Sequence, residues 1–342
     1  DYEEDNILVN NNGAADNGYN SITKNHPSRK QRKQQHYENR NKHILHIEQD
    51  GYLRSYNPST VLWPSGYLLS LCLSSPAKCG IQTELLDAIS FLNDEQTDRK
   101  TKNAKDTKGP IAVELGAGVG APSVSLARWI VSRINDVTHN TTQHDDNSGI
   151  ISPHLSSSLL VVATDKSPHA LSLTITNAYN NGVGENIAVL QSNHSDLESM
   201  IQLKDSFFEP ISTSIAVKED EGEISNSTEQ AKKIEGFAIV IGSSLPDLFH
   251  DSSIGTNLLW KTLDKLLDPK NPNAIAILAH NAETSIETPP PSVLQETKDG
   301  HSSFECFKQI SGLVYGMRTI YKQDHSDFLI SLCRRRKAAH EN

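Results

Sequence analysis

One stretch constrains this chain more than any other: Ile111-Ala-Val-Glu-Leu-Gly-Ala-Gly-Val-Gly-Ala-Pro-Ser-Val-Ser-Leu-Ala127. Ile111 to Leu115 is a short apolar run. Gly116, Gly118 and Gly120 follow at alternate positions, and Val124, Leu126, Ala127 and Ile130 then recur at helical spacing. The pattern predicts a buried strand, a tight glycine turn and a helix. Glycine has no Cβ and tolerates φ > 0, so such a turn lets a ligand approach the backbone. The helix N-terminus is then aimed at that ligand. Two ligand classes use this device, dinucleotides and S-adenosylmethionine, and the stretch alone does not choose between them.

The rest of the chain supplies a fold around it. Leu159 to Asp165, Ile187 to Leu190, Phe237 to Ile241 and Ala274 to Leu278 read as further short apolar strands. Helical patterns separate them, at about 168–180, 197–203 and 257–267. Upstream, Val61 to Leu73 predicts a buried helix starting at Pro64, where a missing N–H costs nothing, and 81–92 an amphipathic one. His43 to Glu48 and Gly51 to Arg54 suggest a hairpin. Near the end, Phe304 to Ile310 reads as helix, and Tyr315 to Tyr321 and Phe328 to Cys333 as two closing strands. Strands alternating with helices predict an α/β, doubly wound, Rossmann-like sheet of seven strands, mostly parallel, with an antiparallel C-terminal hairpin.

The organisation expected is a disordered polar arm over 1–42 and one domain over 43–338, with polar inserts near 93–109, 135–157 and 211–234. These inserts explain a hydrophobic content of 36%, below the roughly 45–50% of ordinary globular chains. The net charge is −10, so nucleic acid is not an expected partner, whereas a basic protein substrate suits the charge. The basic cluster Arg29-Lys-Gln-Arg-Lys33 reads as a solvated run or as a nuclear-import patch, and Arg334-Arg-Arg-Lys337 as a solvated terminus. No run of 18 apolar residues is present, so no membrane span is expected. The expected location is cytoplasmic, with the nucleus as the second possibility. The four cysteines Cys72, Cys79, Cys306 and Cys333 form no Cys-x-x-Cys pair, and no His cluster completes a metal set, so no metal is expected. Cys72 and Cys333 lie in apolar runs and are expected as buried reduced thiols.

Both ligand classes want an acid at the end of the second strand for ribose hydroxyls, and Asp165 fills that role. It lies 45 residues beyond Gly120, and removing the 23-residue insert leaves 22, close to the dinucleotide expectation of about 20. Spacing therefore does not decide. Three features favour S-adenosylmethionine: Glu114 before the turn, where a charge would oppose a pyrophosphate; Trp63-Pro64 upstream; and the closing hairpin.

The segments Val61-Leu-Trp-Pro-Ser-Gly66, Val113-Glu-Leu-Gly-Ala-Gly-Val-Gly-Ala-Pro122 and Ala163-Thr-Asp165, with Asn177, resemble the seven-β-strand, lysine-methyltransferase-like proteins that methylate other proteins. The resemblance covers about residues 50–335. It implies that Trp63 closes the cofactor pocket, that Glu114, Gly116, Gly118 and Gly120 line the methionine part, and that Asp165 takes the ribose with Lys166 beside the adenine. Asn193 stands where the family has an adenine-binding acid, and Ser243 and Ser244 end the fourth strand. The family's Asp-x-x-Tyr element after that strand is replaced by Ser244-Leu-Pro-Asp247. Asp247 and Ser244 are the expected catalytic residues. The expectation is thus an S-adenosylmethionine-dependent methyltransferase acting on a protein side-chain nitrogen. The altered element carries the alternative of a non-catalytic binding protein of the same fold, and a nicotinamide-dependent oxidoreductase is the third reading.

Overall fold

A strand in the middle of a parallel sheet must find apolar cover on both faces, so its sequence reads as a continuous apolar run. Four runs meet that demand: β3 (Ala112–Leu115), β4 (Val161–Asp165), β6 (Ile239–Ser243) and β7 (Ile275–Asn281), which are buried along nearly all of their length. The computed structural model describes residues 7–11, 45–94, 109–140, 159–193, 195–208, 235–245, 253–282, 304–313 and 327–335. Seven strands form one sheet in the order β5-β4-β3-β6-β7-β9-β8, with β5 (Ile187–Gln191) at one edge and β8 (Phe304–Leu313) at the other. Strands β3 to β7 are parallel, and β9 (Asp327–Arg335) inserts antiparallel between β7 and β8. This is the Rossmann-like sheet with an antiparallel closing hairpin that the sequence pattern predicts.

Period-two alternation sorts the strand residues into two cores. Ala112, Ile239, Ile241, Ile275 and Ile277 face helices α1 (Pro64–Ser74), α2 (Gln82–Asp94) and α3 (Ala121–Asn140). Val113, Leu115, Val240, Ala276 and Leu278 face α5 (Leu197–Phe208) and α6 (Ser253–Leu266), where Trp260 is fully buried. Helix α4 (Pro168–Asn180) follows β4 and is capped by Ser167, whose hydroxyl accepts from the Ala170 N–H. Pro64 opens α1, as expected. A second, separate sheet pairs β1 (Ile7–Asn11) with β2 (Leu45–Gln49) in parallel.

Several expectations are corrected. Phe304 to Ile310 is strand, not helix. Phe304, Phe307 and Ile310 stand three apart, which imitates helical spacing, but Phe304 packs on one face of the sheet and Phe307 and Ile310 on the other; the bulge between Cys306 and Lys308 is what lets Phe307 and Ile310 share a face. The closing pair is therefore β8 with β9, and residues 315–321 lie outside the described residues. The segment after β2 is not a second hairpin strand but a 3₁₀ turn, Tyr52–Ser55, held by Asp50, whose carboxylate accepts from the Tyr52 and Leu53 amides. Cys333 is not a free thiol: it sits directly across from Cys306 and forms a disulfide with it. Cys72 is a buried free thiol, as expected. The arm contributes β1, and α3 continues to Asn140, into the expected second insert. Arg334 and Arg335 belong to β9 rather than to a solvated tail, with Arg334 paired to Glu305 and Arg335 to Asp264. Among the described residues, no helix is long and apolar enough to cross a membrane.

Candidate active site

The connections leave β3 in one direction and reach β6 in the other, so the strand order reverses between these two strands. In open parallel sheets the crevice beyond the carboxyl ends at such a point takes the ligand. The residues that the sequence singles out converge there. Glu114 lies in β3, the glycine turn follows it, Asp165 ends β4, and Ser243 ends β6 with Ser244 just beyond.

The turn is left-handed at all three glycines, with φ of 64° at Gly116, 55° at Gly118 and 75° at Gly120. A Cβ at Gly118 would stand 3.0 Å from the Ser59 carbonyl, and one at Gly120 would stand 2.9 Å from Thr174 Oγ1 and closer still to its methyl. Glycine is needed here on both counts. The turn's own amides are engaged: Ala117 N donates to Thr164 O at 2.7 Å, Gly120 N to Ala117 O at 2.8 Å, and Gly118 N to Asp165 Oδ2 at 2.9 Å.

Two buried carboxylates flank the turn. Asp165 is 3% exposed, and its other oxygen, Oδ1, accepts from Ser167 N at 2.8 Å. A carboxylate oxygen accepts more than one hydrogen bond, so both retain capacity for a ligand hydroxyl. Glu114 is fully buried; its Oε2 accepts from the Ser123 amide at 3.0 Å and from the Ser123 hydroxyl. Its Oε1 is buried with no hydrogen-bond partner among the described residues. Burial pushes the Glu114 carboxyl up to about 8; the two Ser123 bonds oppose that rise, and the Asp165 charge adds to it. A buried acceptor left open in this way is costly unless a donor reaches it.

The roof of the site comes from the chain between β2 and α1. Trp63 is the N-cap residue of α1, and its indole N–H donates to Pro58 O at 2.8 Å. It is 36% exposed, so it is not a core residue. Asn57 donates to Ser167 Oγ at 2.6 Å, which ties the same segment to the start of α4. The first turn of α1 is seated on the end of β6: Ser65 and Ser244 share a hydroxyl–hydroxyl bond of 2.5 Å, and a Cβ at Gly66 would stand 3.3 Å from Ser243 Oγ. Ser244 has φ of 58°, a left-handed conformation that a serine adopts at a cost, and its N–H donates to Ala279 O at 2.8 Å. Strain of this kind gathers at functional sites.

The remaining predicted residues are placed less centrally. Lys166 is exposed beyond Asp165, and its carbonyl accepts from Gln191. Asn193 is exposed in the turn after β5, where its side-chain oxygen accepts from Ser195 N at 3.2 Å. Asp247 lies outside the described residues. Sequence reasoning misses Ser123, Thr174, Ser65 and Asn57. Ser123 had a signal, three positions past Gly120 in the first turn of α3, where a short polar residue finds free backbone groups. Thr174, Ser65 and Asn57 had none, because packing of separate segments brings them in.

No family model matches the sequence, and no curated protein matches it significantly. Several solved structures match the chain at low identity. One is an S-adenosylmethionine-dependent methyltransferase from Anabaena variabilis, 12% identical over 72% of this chain and 84% of that one, with a TM-score of 0.34. Another is a ribosomal protein L11 methylase from Lactobacillus delbrueckii, 15% identical over 73% and 78%, with a TM-score of 0.31. A third is an O-methyltransferase from Bacillus cereus, solved in complex with S-adenosylhomocysteine, 12% identical over 83% and 96%, with a TM-score of 0.31.

Proposed function

We propose that the protein binds S-adenosylmethionine in the crevice above β3 and β4 and transfers its methyl group to a side-chain nitrogen of another protein. The observation that carries this reading is the pair of buried carboxylates, Glu114 and Asp165, on a turn whose amides at Ala117, Gly118 and Gly120 are already engaged. A pyrophosphate needs free amides, which this turn does not offer, so a dinucleotide fits poorly. A ligand carrying a cation and a ribose fits well: Glu114 Oε1 is an open acceptor for an ammonium, and Asp165 accepts ribose hydroxyls.

When bound, S-adenosylmethionine supplies a sulfonium methyl that a nitrogen can attack in line, leaving S-adenosylhomocysteine. This chain's residues then orient and enclose. Glu114 is itself fixed by Ser123, so an ammonium held at Oε1 is fixed relative to α3. Trp63, whose indole N–H is bonded to Pro58 O, is assigned the closing of the pocket against water. Ser65 and Ser244 present hydroxyls at the end of β6, where an acceptor nitrogen can be positioned. Asp247, three residues further on, is proposed to hold or deprotonate that nitrogen. The Trp63-Pro64-Ser65-Gly66 segment supports a protein acceptor of the lysine type, and the acidic chain suits a basic protein in the cytoplasm or nucleus.

The altered element Ser244-Leu-Pro-Asp247 favours a second reading, a cofactor-binding protein of the same fold without transfer activity. Methyl-labelled cofactor incubated with the protein and a protein extract separates the two. Label on the protein fraction, lost with Asp165→Ala, supports the enzyme. Cofactor binding with no label on any protein supports the second reading.

A further inference from the structure

Strand β2 uses one backbone edge for β1 and the other for two asparagine side chains, Asn177 of α4 and Asn181 at its C-cap. Asn181 Oδ1 accepts from His46 N at 2.9 Å, and Asn181 Nδ2 donates to His46 O at 2.6 Å. Asn177 Oδ1 accepts from Glu48 N at 2.7 Å, and Asn177 Nδ2 donates to Glu48 O at 3.0 Å. The geometry suits this arrangement. Four helical residues rise about 6.0 Å and two strand residues about 6.6 Å, so asparagines one turn apart match alternate residues of a strand. Each carboxamide offers an acceptor and a donor at short reach, as a neighbouring strand would. Asparagine alone does this, since aspartate has no donor and glutamine is a methylene longer.

Asn177 differs from Asn181 in reaching the glycine turn. Its second N–H donates to Val119 O at 2.8 Å, inside the glycine turn, whereas the second N–H of Asn181 donates to Asn177 O at 2.8 Å. The preceding carbonyl, Gly118 O, is held from the same helix by Thr174 Oγ1 at 2.8 Å. One fully buried carboxamide therefore joins β2 to the turn that flanks both carboxylates. The chain leaving β2 lies over that turn, with Ser59 O close to Gly118 and Gln49 Oε1 accepting from Leu62 N at 2.9 Å. The register of β2 on α4 thus sets where Pro58 to Trp63 sits above the site.

We infer that Asn177 is a positioning residue of the cofactor site: it locks β2, and the roof segment that follows it, onto the glycine turn, so that roof and turn act as one unit. The inference rests on the reading that the turn holds S-adenosylmethionine. Asn181 anchors the same strand without touching the turn, which makes it the internal control.

The test uses the full chain, S-adenosylhomocysteine as the probe, and calorimetry beside thermal unfolding. Asn177→Ala and Asn181→Ala both release β2 and should lower the melting temperature alike. Asn177→Ala should weaken binding by about tenfold more than Asn181→Ala, the equivalent of one lost hydrogen bond. Thr174→Val, which leaves β2 untouched, should weaken binding as well. If the two asparagine variants bind the probe equally, the inference is overturned. Should Asn177→Ala not fold, hydrogen exchange on the unaltered chain decides: the probe should slow exchange at the His46 and Glu48 amides. Protection of the turn with β2 unchanged would overturn the inference while leaving the cofactor reading intact. A chain that binds no probe at all removes the cofactor reading, and the inference with it.

Discussion

Gly120→Ala tests the geometry of the turn at the point where two independent costs coincide. The left-handed φ of 75° costs an alanine roughly 1–2 kcal/mol. The new methyl would also meet Thr174, 3.0 Å from its Cβ and 2.9 Å from Oγ1, and crowding of that kind costs roughly 1–3 kcal/mol. The sum is a destabilisation of about 2–5 kcal/mol, read from the urea midpoint. Thr174→Ala in the same chain removes the two nearest of these atoms, Oγ1 and the methyl, but leaves Cβ and the φ cost. The double variant should therefore be more stable than the two single losses predict, by more than the roughly 0.5 kcal/mol within which independent sites add. A Gly120→Ala loss below about 1 kcal/mol, or additive losses, would refute this account of the turn.

Further predictions concern charge and redox state. Glu114 titrates at about 8 when folded against an ordinary 4.5, so between those values the folded chain keeps a proton that the unfolded chain has released. Its contribution to stability is intact below that window and is lost as pH rises through it. Without cofactor, Glu114→Gln should match the parent chain near pH 5 and become progressively more stable than it towards pH 8, by urea unfolding; parallel curves would contradict the assignment. The Cys306–Cys333 disulfide closes a segment with a sequence separation of 27. Its removal should cost about 3–4 kcal/mol on the chain-entropy account. A reductant should lower the urea midpoint of the parent chain and leave that of Cys306→Ser/Cys333→Ser unchanged. An insensitive parent chain would show that the bond does not form in solution.

Much of this architecture was legible because parallel strands and glycine turns write themselves locally. The runs around β3, β4, β6 and β7 are apolar throughout, since each must satisfy both faces of the sheet. Gly116, Gly118 and Gly120 mark φ values that other residues avoid. Glu114 and Asp165 were legible as strand-end acids on the same grounds. What escaped was decided between distant segments. Phe304 to Ile310 looked helical because the bulge near Phe307 lets Phe307 and Ile310, three apart, share one face of a strand. The 3₁₀ turn at Tyr52–Ser55 is fixed by a single carboxylate, Asp50, rather than by any pattern. Cys306 and Cys333 meet only because β9 inserts beside β8, which no spacing between them announces. Thr174 and Asn177 reach the glycine turn through the packing of α4, so their roles are invisible until the helix is docked.

The central claim is that the glycine turn, Glu114 and Asp165 together hold S-adenosylmethionine. Calorimetric titration of the full chain with S-adenosylmethionine and with S-adenosylhomocysteine tests it most directly. The account predicts saturable one-site binding of both, abolished by Asp165→Ala and unaffected by a nicotinamide dinucleotide added in competition. No binding of either ligand, or an affinity for Asp165→Ala within about twofold of the parent chain, a difference under 0.5 kcal/mol, would contradict it.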